Sequence, residues 1–443
     1  MRISSIKSVR PCTLSSVQFE LPIAIKTRPT KKTSSVAFRT QKSYLKCGFL
    51  DSIDGSKNLS LMEPAKVSKR WREYQGIKNW EGLLDPLDDN LRREIIRYGN
   101  FIEATYQSYN LDISSPLYGT CRYSKRDLLD ESGFSKTGYR VCRNLTANSG
   151  IRLPRWMPTW MAMQSSWIGY VAVCQNKKEI ARLGRRDVVI ALRGTVTCLE
   201  WLENLRATLT PLSGTDNGSD SDSYPDPDSE VPMVESGFLS LYTSTFENRP
   251  SLQTLLKQEI SRILEKYRNE SLSFTITGHS LGAALATVAA YDIKNTFGNS
   301  PLVTVISFAG PRVGNWSFRC ELEKQGTKIL RIVNSDDLFT KVPGFVIENN
   351  EQNQFSDNFS SNKAAAGLGG WVHKLVEDMQ WVYADVGCEL RLSSRDSPYL
   401  SGINIATCHD LKTYLHLVDG FVGSNCPFRA TARKIINKNL GTG

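Results

Sequence analysis

The sequence predicts an α/β fold, a mostly parallel central sheet with helices packed on both faces. Strand-like and helix-like segments alternate between about residues 187 and 334, the order that βαβ units produce. One of the strands, Asp187 to Leu192, contains the β-branched run Val188-Val189-Ile190, as strands covered on both faces do. Another, Leu272 to Thr277, passes through a glycine turn straight into the Ala-rich stretch Ala283 to Ile293. That is a strand, a sharp turn and a helix with no loop between them.

Taken in order, Asp88-Asp89 offer N-caps to a helix over about Leu91 to Tyr106, where Ile95, Tyr98, Ile102 and Tyr106 recur at helical spacing. Trp167 to Val173 reads as a strand, and with Asp187 to Leu192 it implies parallel pairing. A helix near Leu252 to Tyr267 follows, then the strand Ser273 to Thr277 and a helix over Ala283 to Asn295. The strands Val303 to Ala309 and Lys328 to Asn334 complete the alternation. Residues 213–230 hold six carboxylates, two prolines and no base. They lack the glycine and ligand register of a calcium loop and read as a solvated acidic loop. Asn350 to Gly370 reads as a second loop.

Charge is distributed unevenly. The 443 residues carry 55 Lys and Arg against 45 Asp and Glu, and residues 1–50 hold ten of those bases with a single acid, Glu20. The remainder is close to neutral, so the basic balance gives no support to a nucleic-acid partner. The N-terminal segment is rich in Ser and Thr and has no continuous apolar core. That is the composition of a chloroplast transit peptide rather than a secretory signal. Residues 1–50 are therefore expected to be a cleavable plastid address, 51–70 a linker and 71–435 the folded domain. No stretch approaches 18 consecutive apolar residues. No transmembrane helix is expected, and membrane contact should be peripheral. Ten cysteines are present, eight of them after the presequence and irregularly spaced with no C-x-x-C pair. They are expected to be free, buried thiols rather than zinc ligands.

The glycine turn carries the chemistry. It reads Gly278-His279-Ser280-Leu281-Gly282, a nucleophile elbow in which small flanking residues let strand and helix approach while the serine is pushed to the apex. A serine hydroxyl needs an adjacent base, and the base needs an orienting group. Of the four histidines, His279 is inside the elbow and reads as structural, and His373 follows a Gly/Ala-rich loop with no further signal. His409 follows the turn-rich stretch Ser401 to Thr407, whereas His416 is deeper in an apolar helix. The two are seven residues apart and would share a helical face, so position rather than spacing favours His409 as the base. The acid should end a strand between serine and histidine in sequence. Lys328 to Asn334 is such a strand, followed by Ser335-Asp336-Asp337, and the residues alone do not separate the two carboxylates. Oxyanion donors are expected from the Leu281 backbone N-H and from Arg193-Gly194-Thr195, with the Thr195 hydroxyl an extra donor.

These residues resemble the fungal-type (class 3) lipase family and, within it, the plant chloroplast class I phospholipases A1. The similarity covers nearly everything after residue 70. It includes Trp71-Arg72-Glu73-Tyr74-Gln75-Gly76, Gly82-Leu83-Leu84-Asp85-Pro86-Leu87-Asp88, Arg193-Gly194-Thr195, the elbow, Gly310-Pro311-Arg312-Val313-Gly314-Asn315 and Tyr414-Leu415-His416-Leu417-Val418-Asp419-Gly420. The resemblance implies an alpha/beta-hydrolase fold and a Ser280, Asp337, His409 triad. The family's Asn-x-x-Asp falls on Asn334 and Asp337, and its His-x-Leu-x-x-Tyr on His409, Leu411 and Tyr414. It also implies an oxyanion hole at Leu281 and Thr195 and a lid carrying Leu199, Trp201, Leu202 and Leu205. The acidic loop after that lid is not part of the family pattern.

The resemblance further implies a plastid phospholipase A1 that needs no cofactor or metal. It would release fatty acid from the sn-1 position of phosphatidylcholine and of galactolipids or triacylglycerol. An acyltransferase or an esterase on soluble esters is the alternative within the same chemistry. A non-catalytic lipase-like interaction protein is the alternative outside it.

Overall fold

The computed structural model describes residues 67–148, 165–195, 208–212, 231–298, 301–343, 383–400 and 404–425. The expectations for the transit peptide, for most of the linker, for the lid residues Leu199, Trp201, Leu202 and Leu205, for the acidic loop 213–230, for the loop 350–370 and for His373 lie outside the described residues.

The expected helix near residue 90 is α1, Asp89–Ser108, with the Asp88 side chain accepting from the Asn90 and Leu91 N-H groups. Its buried stripe includes Leu91, Ile95, Tyr98 and Ile102, and it packs on the central sheet. That sheet has seven strands in the order β1-β2-β3-β6-β7-β8-β9. The strands are β1 Tyr139–Asn148, β2 Ser165–Cys174, β3 Arg186–Leu192, β6 Leu272–His279, β7 Leu302–Phe308, β8 Lys328–Asn334 and β9 Cys388–Leu392. A separate short ribbon pairs β4, Leu209–Pro211, with β5, Met233–Glu235.

From β3 to β9 the pairing is parallel throughout, and β3, β6, β7 and β8 are buried along almost their whole length. This is an alpha/beta-hydrolase-type sheet, with one correction to the sequence reading. β2 runs antiparallel to β3, and β1 antiparallel to β2. The link from β2 to β3 is a short helix, α2, Lys177–Leu183, capped by Asn176 and ended by Gly184 at φ 72°. Such a connection reverses the chain at one end of the sheet and cannot carry it back across a face, as parallel pairing requires.

Helices α3, Ser236–Thr243, α4, Leu252–Lys266, and α5, Leu281–Phe297, enclose one core with the sheet's first face. Helix α1 and the C-terminal helix cover the second face. Because the strands from β3 onward are parallel, their C-terminal ends share one edge, the place where such sheets build ligand sites. The opposite edge carries a buried charge network around Asp187. Its carboxylate accepts from Ser273 Oγ at 2.9 Å, Tyr98 OH at 3.0 Å and Tyr139 OH at 2.8 Å, and pairs with Arg97 at 3.3 Å.

The thiols of Cys121, Cys142, Cys174, Cys320, Cys388 and Cys408 are free, as expected, but only Cys174 and Cys408 are buried and Cys320 is exposed. No described helix is long and apolar enough to cross a membrane.

Candidate active site

The elbow forms where β6 meets α5. Ser280 adopts φ 54° and ψ −124°, a left-handed backbone that is costly for a residue with a side chain. Its surroundings hold it there. The Ser280 N-H donates to the Phe308 carbonyl at the end of β7 at 3.0 Å. A Cβ on Gly278 would strike the Gly282 carbonyl, and one on Gly282 would strike the Leu192 and Arg193 carbonyls. The glycines are thus required by strand-to-helix contact, and the serine is left at the N-terminus of a 17-residue helix.

Strand β8 leads into the two candidates for the acid. The two carboxylates, which only the family resemblance separates, point in different directions. Asp336 Oδ2 accepts from Ser393 Oγ and the Ser394 N-H, each at 2.9 Å, and its other oxygen pairs with Arg395. It organises the turn after β9. Asp337 is fully buried, and its Oδ2 is 2.8 Å from His409 Nδ1. The same oxygen accepts from Tyr414 OH at 2.7 Å, while Oδ1 accepts from the Phe339 N-H at 3.0 Å. A carboxylate can only accept, so the His409 proton resides on Nδ1. Nε2 is then an acceptor, and Ser280 Oγ is 2.9 Å away.

His409 does not share a helix with His416. It ends the short helix α6, Ile405–His409, and Asp410 then caps a new helix, α7, Leu411–Gly420. That break lets His409 turn toward the serine while His416 bonds Ser397 Oγ at 2.9 Å, away from the triad. The His409 ring stacks on Phe339, centroids 4.1 Å apart and planes 30° apart. Asn334 secures the same corner by donating to the Cys408 carbonyl at 2.9 Å and to Ser394 Oγ at 2.7 Å.

His279 is structural, as its place in the elbow suggested, and its contacts are specific. Its Nε2 is 2.8 Å from the His409 carbonyl, and its Nδ1 is 2.7 Å from Tyr106 OH. Tyr106 OH in turn accepts from the Gly194 N-H at 2.9 Å. The Tyr106 proton therefore points to Nδ1, and Nε2 carries the hydrogen donated to His409. Burial, together with the neighbouring His409, pushes the His279 imidazole down to about 3, so it is neutral at working pH.

The second expected oxyanion element sits beside Ser280. A Cβ on Gly194 would lie 3.0 Å from the Ser280 Cβ, so the Gly194-Thr195 backbone passes directly over the elbow. Arg193 holds it in place by donating to the Trp167 and Gly194 carbonyls and to Ser166 Oγ, with its guanidinium 3.7 Å from the Tyr109 ring centroid. Leu281 opens α5, where backbone N-H groups and the helix dipole favour a developing negative charge.

A serine, imidazole and carboxylate in line, with donors preset over a parallel sheet's C-terminal edge, can perform acyl transfer through an acyl-enzyme. Tyr106, Tyr414 and Phe339 were not identified as parts of the site from sequence. Tyr414 alone had a readable signal, five residues after His409 in the family pattern.

Fold and chemistry together define a carboxylic ester hydrolase of the alpha/beta-hydrolase class. Residues 189–347 match the family profile described as Lipase (class 3). The chain is 62% identical over 383 residues to the chloroplastic phospholipase A(1) DAD1 of Arabidopsis thaliana, covering 85% of this chain and 82% of the relative. It is 40% identical over 393 residues to the chloroplastic phospholipase A1-Igamma1 of the same plant, covering 82% and 70%. It is 41% identical over 369 residues to the chloroplastic galactolipase DONGLE, also of that plant, covering 80% and 70%. The chain belongs to the class 3 lipase family, and the plastid address read from residues 1–50 agrees with these relatives' chloroplastic names.

Proposed function

We propose that this chain is a phospholipase A1 acting at plastid membranes, and that residues 71–435 form its catalytic domain. The observation that carries the reading is the continuous path Ser280 Oγ, His409 Nε2, His409 Nδ1, Asp337 Oδ2, with steps of 2.9 and 2.8 Å. Ser280 Oγ attacks the sn-1 carbonyl carbon of a glycerolipid as its proton passes to His409 Nε2. The carbonyl oxygen becomes an oxyanion held by the Leu281 N-H and Thr195. Collapse breaks the bond to the glycerol oxygen, which takes the proton back from His409. Water then gives a proton to His409 and attacks the acyl-enzyme, releasing fatty acid and restoring Ser280. Asp337 orients the imidazole and stabilises its charge throughout. The relatives' names support phospholipid and galactolipid as substrate classes. Peripheral contact with the membrane follows from a substrate that resides there.

The test is mass spectrometry of products from phosphatidylcholine and galactolipid bearing different acyl chains at the two positions. Release of the sn-1 chain by the wild type, and its loss in Ser280→Ala, is expected. Unchanged hydrolysis by Ser280→Ala sinks the mechanism, and release of the sn-2 chain sinks the positional assignment.

A further inference from the structure

We propose that the loop Asn110 to Thr120 is a membrane-docking element that seats the active-site edge on an electrically neutral glycerolipid surface. The proposal rests on the lipid-hydrolase reading above. Large apolar side chains at the surface are usually scattered singly. Here three of the seven exposed among the described residues fall on this one loop. They are Leu111, Ile113 and Leu117, 40%, 58% and 61% exposed.

The loop is built to hold them out. Its neck is closed by Asn110 N-H to the Thr120 carbonyl and Gly119 N-H to the Asn110 carbonyl, each 3.0 Å. Its interior is a chain of turns, Ser115 N-H to the Asp112 carbonyl, Tyr118 N-H to Ser115 and Thr120 N-H to Leu117, at 2.9 to 3.1 Å. A backbone fixed this way loses little further entropy on docking.

Its position fits the occupant. The neck is joined to β2 by the Trp167 N-H donating to the Gly119 carbonyl at 2.9 Å. Tyr109, at the loop's entrance, carries the guanidinium of Arg193 on its ring, and Arg193 precedes the Gly194-Thr195 backbone over Ser280. The apolar tip and the nucleophile thus belong to one edge of the sheet, where a lipid must arrive. The loop contains one charged residue, Asp112, and no base. It offers anionic head groups no cation, and its attachment should come from buried aliphatic surface rather than from charge.

The double variant Ile113→Ser/Leu117→Ser tests this with phosphatidylcholine vesicles. Vesicle affinity and vesicle hydrolysis should both fall by roughly tenfold or more, and wild-type binding should change little between low and high salt. Turnover of a monomeric short-chain ester should be retained, which also reports correct folding. Undiminished vesicle binding overturns the proposal. So does a variant whose only change is loss of self-association, because the patch would then cover a second copy of the chain. If the wild type hydrolyses no ester, the catalytic reading fails, while vesicle binding still decides the docking role.

Discussion

His279 donates from Nε2 to the backbone carbonyl of His409 at 2.8 Å, so the residue before Ser280 fixes the main chain of the residue proposed as its base. Through Nδ1 and Tyr106 OH the same ring reaches the Gly194 N-H. One neutral imidazole therefore ties together the elbow, the base and the backbone expected to meet the oxyanion.

Removing the Tyr106 hydroxyl should loosen that connection. Tyr106→Phe leaves the Gly194 N-H and His279 Nδ1 without their partner, at a stability cost of about 1–2 kcal/mol. We expect kcat to fall roughly 10- to 100-fold with KM little changed, because the displaced donors act mainly on the transition state. Steady-state kinetics with a soluble ester would read this, and a pure KM effect would contradict it.

The two neighbouring carboxylates should behave very differently. Asp337→Asn should lower kcat by roughly 10³- to 10⁴-fold while the protein stays folded. Asp336→Asn removes only the cap on the turn at Ser393 to Arg395 and should cost less than about tenfold. Equal losses would mean that the orientation of Asp337 toward His409 is not what matters.

Acid stability should follow His279. Its imidazole titrates near 3 in the fold and near 6.5 in an unfolded chain. Between those values only the unfolded state binds the proton, so stability is complete above about pH 6.5 and declines as pH falls. The loss is about 2 kcal/mol by pH 5 and about 4 kcal/mol by pH 3. Urea midpoints for wild type and His279→Gln across pH 7.5 to 4.5 would show a shallower decline in the variant; parallel curves would refute the assignment.

At the far edge of the sheet, Asp187→Asn should unfold the protein more readily without altering the triad. It removes one of the two carboxylates paired with Arg97, leaving Glu94, and the carboxylate paired with Arg185 in a buried network, a loss of about 3–5 kcal/mol. Denaturant midpoint measures the stability, and kcat of the folded fraction should be unchanged.

Much of this was legible in the chain because the decisive signals are local. The elbow, the strand ending at Asn334 and the turn-rich approach to His409 each declare themselves within about ten residues. The edge strands β1 and β9 do not. Tyr139–Asn148 and Cys388–Leu392 are half exposed and carry Arg140, Arg143, Glu389 and Arg391, so neither shows a buried apolar run. Asp336 and Asp337 diverge because consecutive side chains leave the strand end in different directions, which no composition records. The contact of Tyr106 with His279 spans 173 positions, and only folding brings such residues together.

Ser280 holds its backbone at φ 54°, and this restricts which alcohol can stand there. A threonine would offer the same hydroxyl, but its branched Cβ is poorly tolerated at positive φ. The turn that aims the Ser280 hydroxyl at His409 thereby disfavours its nearest chemical homologue. At this position a secondary alcohol is selected against by conformation before its reactivity is ever tested.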